Sequence, residues 1–154
     1  MPIRRIAPSH DGDGLRVGCV RSRFNPAIGE GLLAGALRAL MEAGVAESDI
    51  TVVTVPGALE SALALQQLAQ TDDFDALVAL GAVIRGETYH FEIVSNESAA
   101  GLSSVALEFG IPIGNGILTC ETDAQAEARM DAKGFAAAQA ALEMANLIVR
   151  LEDD

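Results

Sequence analysis

The residues best placed to do chemistry lie in one short stretch, Arg85-Gly86-Glu87-Thr88-Tyr89-His90, between an apolar run and a long helical pattern. Gly86 lets the backbone approach a ligand closely. The N–H groups of Glu87, Thr88 and their neighbours would point out of the following helix's first turn. Such an N-terminus is a ready anion site, because its amides have no intrahelical partner and the helix dipole is positive there. The plainer alternative is that Gly86 only turns the chain and Thr88 only caps the helix. A carboxylate is a poor neighbour for a phosphate, so Glu87 is expected to point its side chain away while its N–H contributes. His90 falls in the same turn. Alone, such a histidine more often caps or packs; beside an anion site its imidazole suits proton transfer near neutral pH.

The chain carries 22 acidic against 10 basic residues, a formal net charge of −12. Nucleic acid would be repelled by such a surface. An anionic ligand therefore needs a local cluster of bases, and Arg21, Arg23 and Arg85 all fall where apolar runs end, beside Phe24, Tyr89 and His90. Competing motifs fail on position. Gly29-Glu30-Gly31-Leu32-Leu33-Ala34 matches a dinucleotide fingerprint, but it lies inside a helical pattern, and no acid closes the second strand. There is no phosphate-binding G-x-x-x-x-G-K-[ST], no nucleophile elbow and no metal-ligand spacing.

The elements that would position these residues alternate. Strands are expected over Leu15–Val20, Ile50–Val55, Ala76–Ile84 and Pro112–Thr119. Helices are expected over Pro26–Ala43, Ala58–Gln70, Tyr89–Phe109, Asp123–Met130 and Gly134–Arg150. Asn25 reads as a side-chain cap with Pro26 at the first helical position. The second strand is apolar on both faces, which fits a buried parallel strand. Strand and helix alternation gives a parallel sheet with helices on both faces, and ligands of such sheets sit beyond the strands' C-terminal ends.

At 154 residues the chain fits one domain; residues 1–14 read as an arm, flexible or lent to a neighbour as an edge strand, and residues 15–154 as the domain. Half the residues are hydrophobic, yet no run reaches the roughly 18 needed to span a membrane. The surplus is expected to cover subunit contacts. The opening lacks the apolar core of a signal peptide, and the two cysteines, Cys19 and Cys120, suggest ordinary buried thiols in a reducing compartment. The expected location is the cytoplasm.

Five segments, in order, resemble the lumazine synthase family: Arg23-Phe24-Asn25, Val55-Pro56-Gly57-Ala58-Leu59-Glu60, Leu80 to Phe91, Gly116-Ile117-Leu118-Thr119, and Leu142-Glu143-Met144-Ala145-Asn146-Leu147. The resemblance implies a flavodoxin-like three-layer α/β/α sandwich with a four-stranded parallel sheet in the order 2-1-3-4. It also implies a homo-oligomer, at least a pentamer, with active sites between subunits. In that order one strand separates those bearing Cys19 and Cys120, about 9–10 Å at sheet spacing, too far for a disulfide.

The implied reaction condenses 5-amino-6-ribitylaminouracil with 3,4-dihydroxy-2-butanone 4-phosphate, without cofactor or metal, to give 6,7-dimethyl-8-ribityllumazine, phosphate and water. By position, Phe24 would stack on the pyrimidine, Ala58, Leu59 and Glu60 would hold the ribityl chain, and Ala82, Val83 and Ile84 would line the ring edge. Glu87 and Thr88 amides would bind phosphate with Arg129 of a neighbour, His90 would transfer protons, and Asn115 and Lys133 would complete the pocket across the interface. Leu59 and Asn115 stand where many members carry an aromatic, and the Arg129–Lys133 stretch is shorter than in many relatives. A ring-binding module without turnover, a shell-forming homologue and a riboflavin synthase of related fold are the rival readings; the Arg85–His90 loop argues against the first, which has no use for a phosphate site.

Overall fold

The computed structural model describes residues 2–153; Met1 and Asp154, the outer ends of the expected arm and domain, lie outside it. The order is β1 (Val17–Ser22), α1 (Pro26–Glu42), β2 (Ile50–Val55), α2 (Ser61–Gln70), β3 (Ala76–Ile84), α3 (His90–Phe109), β4 (Ile113–Cys120) and α4 (Asp123–Glu152), with 3-10 turns at Glu47–Asp49 and Ala58–Glu60. All strand pairs are parallel, in the order β2-β1-β3-β4. The parallel sheet with helices on both faces is the one the alternation implied, and its order is that of the flavodoxin-like sandwich the resemblance implied.

The period-two alternation of β3 builds two cores. Ala76, Val78, Leu80 and Ala82 pack with α1 and α4, while Leu77, Ala79 and Val83 pack with α2 and α3. Burial of both faces makes the central strand almost wholly apolar. β2 departs from expectation. It is the sheet edge, and Thr51, Val52 and Thr54 are exposed; its β-branched run reflects strand preference rather than burial.

Three further expectations are corrected. Asn25 makes no side-chain cap; it sits in the left-handed region at φ 58°, which asparagine tolerates better than most residues, and Pro26 still opens the helix. α3 begins at His90, with Tyr89 as the residue before it, and ends as expected at left-handed Gly110. The two C-terminal helices are one, α4, begun by a capping box between Thr122 and Gln125. Gly134 is no break. A Cβ there would lie 2.0 Å from the carbonyl oxygen of Leu32, and one at Gly35 would lie 2.3 Å from that of Asp131. Glycines let α1 and α4 touch backbone to backbone, and Arg38 fastens the same crossing by pairing with Asp131 and lying 4.9 Å over the Phe135 ring.

Residues 2–10 form no helix or strand. Asn146 Nδ2 donates to the carbonyls of Ser9 at 3.0 Å and Asp11 at 2.8 Å, holding the arm along α4. Both cysteines are free and buried. Cys19 lies opposite Val78, which lies opposite Gly114, so Cys120 is also displaced six residues along the sheet, about 20 Å. Burial pushes the Cys19 thiol up to about 12, which keeps it protonated and unreactive.

Gly134→Ala is expected to destabilise by about 2–3 kcal/mol, because backbone on both sides must move. At fixed protein concentration the urea midpoint should fall with an unchanged slope; an unmoved midpoint contradicts the close crossing.

Candidate active site

β1 and β3 are neighbours whose following helices go to opposite faces, α1 to one and α3 to the other. Their C-terminal ends therefore diverge, and the crevice between them is where such sheets bind ligands. Here the crevice is deepened by length. Pairing of β1 with β3 ends at Arg21 opposite Leu80, whereas β3 continues to Ile84 paired only with β4. On the β1 side the last four residues of β3 have no ladder partner; Gly81 packs against Ser22, and Ala82, Val83 and Ile84 border the crevice.

A cavity of about 490 Å³ fills this crevice. Phe24 comes from the turn after β1, Ala58, Leu59 and Glu60 from the 3-10 turn after β2, and Ala82, Val83 and Ile84 from the free end of β3. Thr88 and His90 come from the loop and first residue of α3. Nine of the thirteen residues singled out in the sequence thus share one cavity. Phe91 and Val94 also line it and were not singled out; Val94 lies one turn after His90, a spacing that puts both on one helix face. Phe24 is 68% exposed, an aromatic side chain on the rim of the cavity.

The other four lie elsewhere. Glu87 is exposed and does not line the cavity, but its amide and those of Gly86 and Thr88 form no backbone hydrogen bond among the described residues. Arg129 and Lys133, on α4, line a separate cavity of about 330 Å³ beside the end of β4. Asn115 is exposed on β4 opposite Ala79, three residues short of the crevice, and its Oδ1 accepts from the Ile117 amide at 3.0 Å.

The bases expected to gather at the strand ends are otherwise engaged. Arg21 is buried under α1, donating to the Pro26 carbonyl at 3.1 Å and pairing with Glu30 at 3.2 Å. Arg23 donates to Thr54 at 2.9 Å. Arg85 pairs with Glu92 and Glu121 and lies 4.4 Å over the Phe91 ring. No lysine or arginine lines the crevice, whose one carboxylate is Glu60. By contrast Arg129, among the described residues, makes only a bond to its own helix, Nη1 to the Gln125 carbonyl at 2.9 Å. Among the described residues no group of histidines, cysteines and carboxylates could hold a metal ion, and no helix is long and apolar enough to cross a membrane.

Residues 14–149 match the family model described as 6,7-dimethyl-8-ribityllumazine synthase. The chain belongs to that family. Proteins bearing this name from Paraburkholderia phymatum and Paraburkholderia phytofirmans are 59% and 57% identical to it over 99% of its length, covering 88% and 90% of theirs. The Burkholderia mallei protein of the same name is 57% identical, over 99% of this chain and 88% of its own. Every loop that lines the crevice falls within the lumazine synthase match, as does the α4 segment bearing Arg129 and Lys133.

The hydrogen bond from Arg85 holds the Glu92 carboxyl below the usual carboxylate range. A depressed folded value means that this pair's stabilisation is present above the ordinary carboxylate range and is lost as pH falls through the depressed one. An NMR titration should place the Glu92 midpoint below that of a free glutamate, and Arg85→Gln should raise it; a Glu92 that titrates normally in the wild type contradicts the pairing.

Proposed function

We propose that the crevice is one half of the site at which the chain carries out the lumazine synthase reaction, and that a neighbouring copy supplies the other half. The chain is a transferase of riboflavin biosynthesis, condensing 5-amino-6-ribitylaminouracil with 3,4-dihydroxy-2-butanone 4-phosphate to 6,7-dimethyl-8-ribityllumazine. One observation carries the shared-site reading. The crevice has a bare aromatic face and open amides but no cation of its own, while Arg129 and Lys133 stand in a second cavity with little to hold them.

In this reading Phe24 stacks on the pyrimidine and Glu60 accepts from ribityl hydroxyls beside Ala58 and Leu59. The backbone of Ala82, Val83 and Ile84 meets the ring edge, using the positions β1 leaves unpaired. The phosphate docks on the Glu87 and Thr88 amides, where the α3 dipole favours an anion, and Arg129 of the neighbour neutralises it, with Asn115 and Lys133 beside it. The substrate's 5-amino group adds to the ketone and loses water to form an imine. Elimination of phosphate leaves an enol that tautomerises to a ketone, and attack of the ribitylamino nitrogen on that carbonyl closes the new ring with loss of a second water. His90 moves protons in these steps, needing no cofactor or metal.

Holding two reactive molecules in register supplies much of the rate, since effective molarities reach about 10⁵–10⁸ M. His90 then contributes about 10²–10⁴. The exposed apolar groups, Leu63, Ile93 and Leu107 among them, are read as contacts of a homopentamer, with residues 15–154 as the single domain, residues 1–14 as its arm and the cytoplasm as its location.

Mixing the two substrates with the protein should release phosphate as lumazine fluorescence appears; no release sinks the enzymatic reading. His90→Ala should retain measurable turnover, and a folded but wholly dead variant contradicts the division of labour. Arg129→Ala should raise KM for the phosphorylated substrate about tenfold or more, the scale of one charge-assisted hydrogen bond. Co-refolding the impaired His90→Ala and Arg129→Ala chains should restore sites with both residues intact; mixtures no better than the separate variants contradict the shared site.

A further inference from the structure

We propose that Arg85 is a positioning residue for the phosphate site, a clasp that fixes the loop Gly86–Tyr89 by closing its two ends together; this rests on the reading of that loop as the place where the phosphorylated substrate docks. The loop itself has little to define its shape. Residues 85–90 are all exposed, and the amides of Gly86, Glu87 and Thr88 form no backbone hydrogen bond among the described residues. A Cβ at Gly86 would meet nothing within 4 Å. Backbone bonds stop at the boundaries, from the Arg85 amide to the Cys120 carbonyl at 2.9 Å before it and from the Glu92 amide to the Tyr89 carbonyl at 3.1 Å after it. Inside, one weak contact runs from the His90 amide to Thr88 Oγ1 at 3.4 Å.

Arg85 spans that gap. Its Nη1 donates to Glu92 Oε1 in the first turn of α3, its Nε lies 2.8 Å from Glu121 Oε2 beyond β4, and its guanidinium covers the Phe91 ring at 4.4 Å. A planar fork with fixed donors can satisfy two carboxylates and an aromatic face at once, which a lysine cannot. Glu121 precedes the Thr122 cap, and its amide donates to Gln125 Oε1 at 2.8 Å, so the clasp ties the start of α3 to the start of α4. None of its charged groups lines the crevice. The effect on chemistry is indirect, through the place at which the Glu87 and Thr88 amides and His90 are presented. Phe24 and Ala58–Glu60 sit on other loops and do not depend on it.

The test measures both KM values and kcat for wild type, Arg85→Gln, Glu92→Gln, the double variant and Arg85→Lys, with melting curves for each. Arg85→Gln and Glu92→Gln should each raise KM for the phosphorylated substrate about tenfold, as small misplacements of a binding group do, with KM for the pyrimidine substrate within about twofold. The double variant should be no worse than Arg85→Gln, because the two act as one unit, and Arg85→Lys should recover part of the loss. Folded variants with a lower melting midpoint but unmoved KM overturn the clasp, as do additive effects. Should Arg85→Gln not fold, Glu92→Gln, which keeps the Glu121 contact, carries the same readout. Wild-type protein that turns over both substrates while the variants keep its KM overturns the clasp alone; wild type that releases no phosphate overturns the reading of the site and the clasp with it.

Discussion

β3 outruns β1. Pairing between them stops at Leu80, and Gly81 to Ile84 continue with β4 alone, so Ala82, Val83 and Ile84 border a crevice without a β1 partner. Buried backbone groups demand partners, and an open crevice lets a ligand be that partner. The helices enforce the opening: α1 leaves β1 toward one face and α3 leaves β3 toward the other, so neither covers the gap. Phe24, the Ala58–Glu60 turn and the start of α3 then have nowhere to converge but its rim.

Charge is the second constraint. In a chain of net charge −12, the bases near the crevice are used to build it: Arg21 anchors α1 from beneath, Arg23 joins the turn after β1 to β2, and Arg85 holds the start of α3. What remains for an anion is amide dipole rather than cationic side chain. In the proposed reading the missing positive charge comes from Arg129 of a neighbouring copy, which is why the site is read as shared between subunits.

Much of this was legible in the sequence, and for identifiable reasons. Ala76–Ile84 is legible as a strand because burial of both faces leaves one apolar run, and Pro26–Glu42 as a helix because its buried residues recur at spacings of three and four. The loop Arg85–His90 was legible because glycine, small polar residues and histidine have few structural reasons to sit together after a buried strand. The misses share a cause: local sequence does not reveal what lies across from a residue. Val52 and Thr54 look like core strand yet face solvent, since edge position is a property of the sheet. Gly134 reads as the start of a separate helix, but it lies inside α4 and its missing Cβ answers the Leu32 carbonyl of α1. The arginines at the strand ends were seen as a cluster, whereas their partners, Glu30, Thr54 and Glu92, are set by the tertiary arrangement.

The central claim concerns two amide nitrogens, of Glu87 and Thr88 in the loop before α3, and the phosphate oxygens they would receive. A crystal of the protein soaked with inorganic phosphate tests it most directly. The account predicts an ion against the Glu87 and Thr88 amides, within reach of an arginine from an adjacent copy. Bare amides in that soak, with the ion bound at some other part of the chain, would contradict it.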